Sequence, residues 1–271
     1  MKKDILQEIV ANKRLEVDRQ KEAVKLQTLL GLGSERLERP VRSMRAALVA
    51  SSSGIIAEFK RRSPSKGWLF PDADVKDIVP AYERNGAAAC SILTDTLFFG
   101  GTLGDLCKAR NLVGLPLLRK DFIIDEYQVY QARVMGADAV LLNAACLTPE
   151  KCTALAALAH TLDMEVLLEI HNEDELEYLS PYIDMLGVNN RNLGTFHTDV
   201  ENSFRLSGKM QSRVGADHLS PVLISESGIS GPHTVALLRE AGFRGFLIGE
   251  TFMKTGQPGG TLSHFIGKLS C

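Results

Sequence analysis

Lysines, glutamates and arginines stand at or near the ends of short apolar runs along this 271-residue sequence. The run Ile55–Phe59 carries Glu58 and is followed by Lys60, so the two lie two residues apart. In an extended chain that spacing puts both side chains on one side. The run 115–118 continues into Arg119-Lys120-Asp121, 166–170 contains Glu169, and 185–188 continues into Asn189-Asn190-Arg191. The run 222–225 continues as Glu226-Ser227-Gly228, and 246–248 as Gly249-Glu250. Any one of these charges, taken alone, reads as a strand end meeting water. Glu58 and Glu169 lie within apolar runs, however, and a carboxylate buried there needs a partner. Lys60 and Lys120 are the candidates.

A second group of residues is suited to anions. The segment Arg61-Arg62-Ser63-Pro64-Ser65-Lys66-Gly67 is the strongest local basic feature and reads as an arm that closes over an anionic ligand. A solvated surface turn is its plain alternative. Ser227-Gly228 and Gly249 place glycines after the last two apolar runs, where backbone N–H groups approach an anion closely. Glu250 sits awkwardly beside such an anion and is expected to point away. The six histidines show no ligand spacing and no cysteine at a matching interval, so no metal site is expected. No glycine-rich nucleotide motif follows any run.

Composition agrees with a globular enzyme. Hydrophobic residues make up 45% and charged residues 24%, and the formal net charge is −2, so no basic surplus points to nucleic acid or membrane. Five cysteines without a C-x-x-C pair favour reduced thiols and the cytoplasm. Asp4 and Glu8 interrupt any signal-peptide core, and no apolar run approaches the ~20 residues needed to span a bilayer.

The elements that position these residues follow a regular rhythm. Apolar runs at 55–59, 88–93, 115–118, 139–142, 166–170, 185–188, 222–225 and 246–248 are too continuous for strands wet on one face and too short for typical helices. Helical patterning separates them, as in 125–135, 149–162, 173–179 and 231–241, with Gly86, Gly136 and Gly242 as stops before the next run. Eight such units predict a closed (β/α)8 (TIM) barrel, with an open doubly wound sheet as the alternative. In a barrel the strand ends share one rim. Residues 1–271 read as one domain, residues 1–53 forming an N-terminal helical extension. Within it, Ile5, Ile9, Val10, Leu15 and Val17 make an apolar stripe, and a second helix runs from about 43 to 50.

Several segments together carry a family resemblance. Ile56-Ala57-Glu58-Phe59-Lys60 with Ser63-Pro64-Ser65-Lys66-Gly67, Phe98-Phe99-Gly100-Gly101, Leu118-Arg119-Lys120-Asp121-Phe122-Ile123 and Leu168-Glu169 resemble indole-3-glycerol phosphate synthases. So do Gly187-Val188-Asn189-Asn190-Arg191-Asn192-Leu193, Ser225-Glu226-Ser227-Gly228-Ile229 and Ile248-Gly249-Glu250. The likeness spans nearly the whole chain. Phe59, Trp68 and Asn143 depart from the usual pattern, and none of these departures removes a catalytic group.

The resemblance implies a carboxy-lyase of tryptophan biosynthesis. It converts 1-(2-carboxyphenylamino)-1-deoxyribulose 5-phosphate to indole-3-glycerol phosphate, carbon dioxide and water, with no metal or organic cofactor. It implies Lys120 as general acid, Glu169 as acid/base in loss of water, and Lys60 on the substrate carboxylate. Glu58 would orient the lysines, and Asn189 would hydrogen-bond the substrate. Ser63, Arg191, Ser227, Gly228 and Gly249 would handle the phosphate; Pro64, Phe122 and Leu142 would flank the aromatic ring. A lysine acid near neutral pH suggests that Lys60 or Lys120 titrates low. The partner is a phosphorylated small molecule, and the expected state is a monomer or weak homodimer. Two other readings stand beside this one: a Schiff-base aldolase acting on a sugar phosphate, and a catalytically silent anion-binding barrel. The sister phosphoribosylanthranilate isomerase fits less well, because its acid/base pair is a Cys and an Asp.

Overall fold

The computed structural model describes residues 5–192, 194, 196–215 and 220–269. His218, Cys271 and Leu193 of the sixth-run motif lie outside the described residues. Eight parallel strands close into a barrel in sequence order. They are β1 (Ile55–Phe59), β2 (Ala89–Leu93), β3 (Leu117–Lys120), β4 (Ala139–Asn143), β5 (Glu165–Ile170), β6 (Met185–Asn189), β7 (Val222–Glu226) and β8 (Gly245–Ile248). β8 pairs with β1 through Ile55–Phe246, Ile56–Leu247 and Ala57–Ile248, which removes both sheet edges and excludes the open-sheet alternative.

Strand alternation then sorts every side chain. Ile56, Leu118, Leu141, Leu167, Met185, Ile224 and Leu247 point inward and pack together in the barrel's lower half. Ile55, Ala57, Phe59, Leu117, Val140, Leu142, Val166, Leu168, Leu186, Val188, Phe246 and Ile248 point outward against the helices. Phe59 therefore packs in the outer layer, where the Arg61 guanidinium lies 4.7 Å from its ring centroid.

Among the described residues, four helices precede β1: α1 (Ile5–Ala23), α2 (Leu26–Leu32), α3 (Ser34–Leu37) and α4 (Met44–Ala50). Ser43 caps α4 by accepting from the Ala46 N–H, and Met44 and Leu48 join the inner core. Glu165, at the start of β5, accepts from Ser43 Oγ and the Arg45 N–H and so ties α4 to the barrel wall. α1 lies at the opposite rim. Its residues Ile5 and Ile9 help line a cavity there. α2 and α3, between the two expected helices of the extension, were not anticipated.

Around the barrel run α5 (Val75–Arg84), α6 (Thr96–Phe99), α7 (Leu103–Leu112), α8 (Glu126–Met135), α9 (Pro149–Thr161), α10 (Glu201–Val214), α11 (Pro232–Glu240), α12 (Glu250–Met253) and α13 (Pro258–Gly267). Asp125 begins α8 in a reciprocal capping box with Gln128, and Thr148 caps α9 before Pro149. Gly86, Gly136 and Gly242 all adopt positive φ, as expected of helix stops. The segment expected as a helix at 173–179 is a single 3₁₀ turn, Asp174–Tyr178.

Candidate active site

The inward residues at the C-terminal strand ends enclose a cavity of about 410 Å³. Six of the eight strands add a member to a ring: Glu58 from β1 with Lys60 just beyond its end, Lys120 from β3, Asn143 from β4, Glu169 from β5, Asn189 from β6 and Glu226 from β7. Lys120 Nζ sits 2.7 Å from Glu169 Oε2 and 3.3 Å from Glu226 Oε2. Lys60 pairs with Glu58. The Asn143 amide donates to Glu169 Oε1 at 2.5 Å.

The charges set one another. Burial raises the Glu169 carboxyl, but Lys120 and His171 together outweigh it and bring its pKa down to about 2. Glu226 moves the other way: burial and the neighbouring Glu169 carry it up to about 7, with Lys120 opposing. Burial alone would lower Lys120, yet Glu169, Glu226 and Glu58 hold its ammonium well above the ordinary lysine range. The expectation of a low-titrating lysine fails for Lys120, because this ammonium is surrounded by carboxylates.

Two glycines make room for these carboxylates. A Cβ on Gly187 would lie 2.3 Å from Glu226 Oε1, and one on Gly249 would lie 2.3 Å from Glu58 Oε1. Gly249 therefore has a packing role as well as its place beside the anion-suited loops. Ser227 and Gly228 both have positive φ, 65° and 77°, in the loop after β7. Arg191, Ser63, Ser65 and Lys66 all line the cavity, and Arg191 Nη1 donates to Ser65 Oγ. Phe122 and Pro64 also line it, and Phe122 packs against Phe99 with ring centroids 6.0 Å apart.

Three expectations are corrected. Leu142 is fully buried in the outer layer, and its neighbours Leu141 and Asn143 face the cavity, because alternation along β4 turns Leu142 outward. Glu250 does not point away: it lines the cavity and takes a 2.8 Å hydrogen bond from Arg191 Nη2. The basic arm is largely occupied with the protein itself. Arg61 makes two bonds to Asp105, at 2.7 and 2.9 Å, and Arg62 donates to the Leu97 carbonyl. Ser63 to Lys66 are the part of this segment that faces the cavity, and Trp68 lies outside it, 55% exposed.

Glu226 and Asn143 were missed as site residues. Inward parity with Ile224 and Leu141 was the signal that could have found them.

The family model for indole-3-glycerol phosphate synthase matches residues 6–263. The chain belongs to the indole-3-glycerol phosphate synthase family. A relative of that name from Bacteroides thetaiotaomicron is 61% identical over 265 residues, covering 97% of this chain and 98% of the relative. Another indole-3-glycerol phosphate synthase, from a Polaromonas species, is 45% identical over 270 residues, covering 97% and 98%. Among solved structures, the tryptophan synthase alpha subunit of Legionella pneumophila superposes with a TM-score of 0.62 at 12% identity, over 84% of this chain and 98% of that one. That likeness speaks to the barrel fold alone. Every strand-end motif that carried the resemblance to indole-3-glycerol phosphate synthase lies within the matched span.

Proposed function

We propose that this chain closes the indole ring of 1-(2-carboxyphenylamino)-1-deoxyribulose 5-phosphate, releasing carbon dioxide, water and indole-3-glycerol phosphate in tryptophan biosynthesis. The observation that carries the reading is Lys120 held between Glu169 and Glu226 at the centre of the cavity. The carbon bearing the carboxylate attacks the ketone, and the ketone oxygen gathers negative charge as the bond forms. An ammonium held far up its scale is a weak acid toward water but a sufficient one toward a developing alkoxide. Lys120 therefore stabilises the charge first and delivers its proton late.

Lys60, balanced by Glu58, binds the substrate carboxylate until it leaves as carbon dioxide and helps expel the hydroxyl. Glu169, ionised near neutral pH, is the base that takes the ring C–H proton as the hydroxyl departs. Glu226, with its pKa near 7, holds a proton over part of the working range and is suited to supply it to the departing oxygen. Asn189 orients the substrate by hydrogen bonding. The phosphate lies against Ser63, Arg191, Ser227, Gly228 and Gly249, and Pro64, Phe122 and Leu141 flank the aromatic ring. The reading includes a monomer or weak homodimer acting in the cytoplasm. Among the described residues, no helix is long and apolar enough to cross a membrane.

Lys120→Met is the direct test. Indole fluorescence is expected to show turnover reduced by about 10²–10⁴-fold, with substrate dissociation changed only a few-fold. Full activity in that variant refutes the acid assignment. Borohydride trapping of a substrate adduct on Lys120 or Lys60 would favour the aldolase instead.

A further inference from the structure

Decarboxylation leaves the site one proton short in each turnover. The substrate enters as a carboxylate and the carbon leaves as neutral carbon dioxide, its bonding electron pair restoring the aromatic ring. One proton goes to the ketone oxygen as the carbon–carbon bond forms. A second leaves with the hydroxyl as water, while one returns from the ring C–H. The balance is substrate plus one proton giving product, carbon dioxide and water. With substrate filling the cavity mouth, that proton needs another way in.

We infer that His171 and Glu175 form this way in, passing one proton per turnover from solvent to Glu169. Glu169 hands that proton to Lys120, 2.7 Å away, once Lys120 has protonated the ketone oxygen, and is then free to take the ring C–H proton and return it to Glu226. His171 lies two residues beyond Glu169, so it leans to the same side of the chain. Its Nε2 is 3.5 Å from Glu169 Oε1, is buried, and makes no hydrogen bond of its own. On the other side of the ring, Nδ1 is 3.3 Å from Glu175 Oε2. Neither His171 nor Glu175 belongs to the cavity wall, yet their side chains are 16% and 15% exposed. Glu169 is only 2% exposed. The three groups thus form a line from an outer surface to the back of the catalytic carboxylate. An imidazole can accept a proton at one nitrogen and release another from the second.

The surroundings of His171 suit this task. Glu169 faces it from β5, Glu226 from β7 and Glu175 from the following turn, and the neutral Asn202 of α10 donates to its carbonyl at 2.9 Å. Burial lowers its pKa, but Glu175 and Glu169 together raise it above the ordinary imidazole value. Asn143 occupies the same Glu169 oxygen, Oε1, at 2.5 Å. It holds that carboxylate in place while the Nε2 proton approaches. His171 acts through Glu169 and touches no reacting atom, so it is a positioning and relay residue.

The inference rests on Glu169 as the site's proton-exchanging carboxylate, and the experiment separates the two ideas. The full-length enzyme and its His171→Gln, Glu175→Gln and Glu169→Gln variants are assayed for indole product across pH and across concentrations of imidazole and other small buffers. His171→Gln is expected to lose about tenfold in kcat, with KM within twofold. Its rate is expected to climb back as imidazole is added, while the parent enzyme stays indifferent to buffer. Glu175→Gln should show a smaller loss with the same buffer dependence. A His171→Gln enzyme with parental kcat, or one whose loss no buffer restores, overturns the relay. If that variant does not fold, Glu175→Gln decides, and a parental, buffer-independent rate there overturns it equally. An active Glu169→Gln enzyme would instead show that the underlying role of Glu169 is wrong.

Discussion

Arg191 holds Glu250 at 2.8 Å and also bonds Ser65, at the side of the cavity where the substrate phosphate is proposed to lie. Burial raises the Glu250 carboxyl, but Arg191 outweighs it and keeps the group below the usual carboxylate range, so it is ionised at neutral pH. An arriving phosphate must therefore take the guanidinium from an anion already bound. A partly exposed pair of this kind is worth roughly 0.2–1 kcal/mol, or up to about fivefold in binding. Glu250→Gln is expected to lower KM for substrate about two- to fivefold while leaving kcat unchanged, as read from initial-rate curves at low salt. A rise in KM would show that Glu250 is needed to aim Arg191.

Helix α1 brings a charge into the rim as well as an apolar stripe. Lys13, fully buried, places its ammonium 2.9 Å from each of Glu16, Asp95 and Asp121. Asp95 caps α6, which carries Phe99, and Asp121 follows Lys120 and accepts from the Phe122 N–H. One ammonium thus joins the extension to two segments that line the cavity. Lys13→Met leaves buried carboxylates without their cation, which costs about 3–5 kcal/mol. Urea unfolding at pH 7 is expected to show that loss, accompanied by a fall in kcat/KM. Burial raises Asp121, but Lys13 and Arg119 hold it well below the ordinary carboxylate range. A depressed carboxyl gives stability above its unfolded pKa and loses it as pH falls toward the folded one. The deficit of Lys13→Met should therefore shrink on acidification below about pH 4, where the unpaired carboxylates can neutralise.

At the scale of the whole barrel, closure forces carboxylates from three strands to share two ammonium groups. Glu58 takes Lys60, Glu169 takes most of Lys120, and Glu226 is left with its pKa raised to about 7. A carboxyl raised in the folded state keeps a proton that the unfolded chain has released. Its contribution is therefore most favourable below the unfolded value and is lost as pH rises through about 7. Glu226→Gln is expected to gain stability relative to the parent as pH rises from about 4.5 to 7, and to have little relative effect below that window. Denaturant midpoints measured across pH check this; a constant difference would show that Glu226 does not titrate there.

The sequence by itself determined the parallel strands, because runs buried on both faces leave little choice of element. It also determined the Glu58/Lys60 pair, the glycine stops after α5, α8 and α11, and the gathering of the candidate site residues at one rim. Each of these depends on spacing within a few residues. Tertiary structure alone decided which carboxylate each lysine meets, since Lys120, Glu169 and Glu226 come from three strands far apart in sequence. It likewise decided that Lys13 reaches Asp121, that Arg191 reaches Glu250, and that Arg61 is spent on Asp105. Leu142 marks the boundary between the two. Its burial followed from its apolar run, but its side of the wall depended on the parity of β4, and the barrel turned Leu141 and Asn143 inward instead.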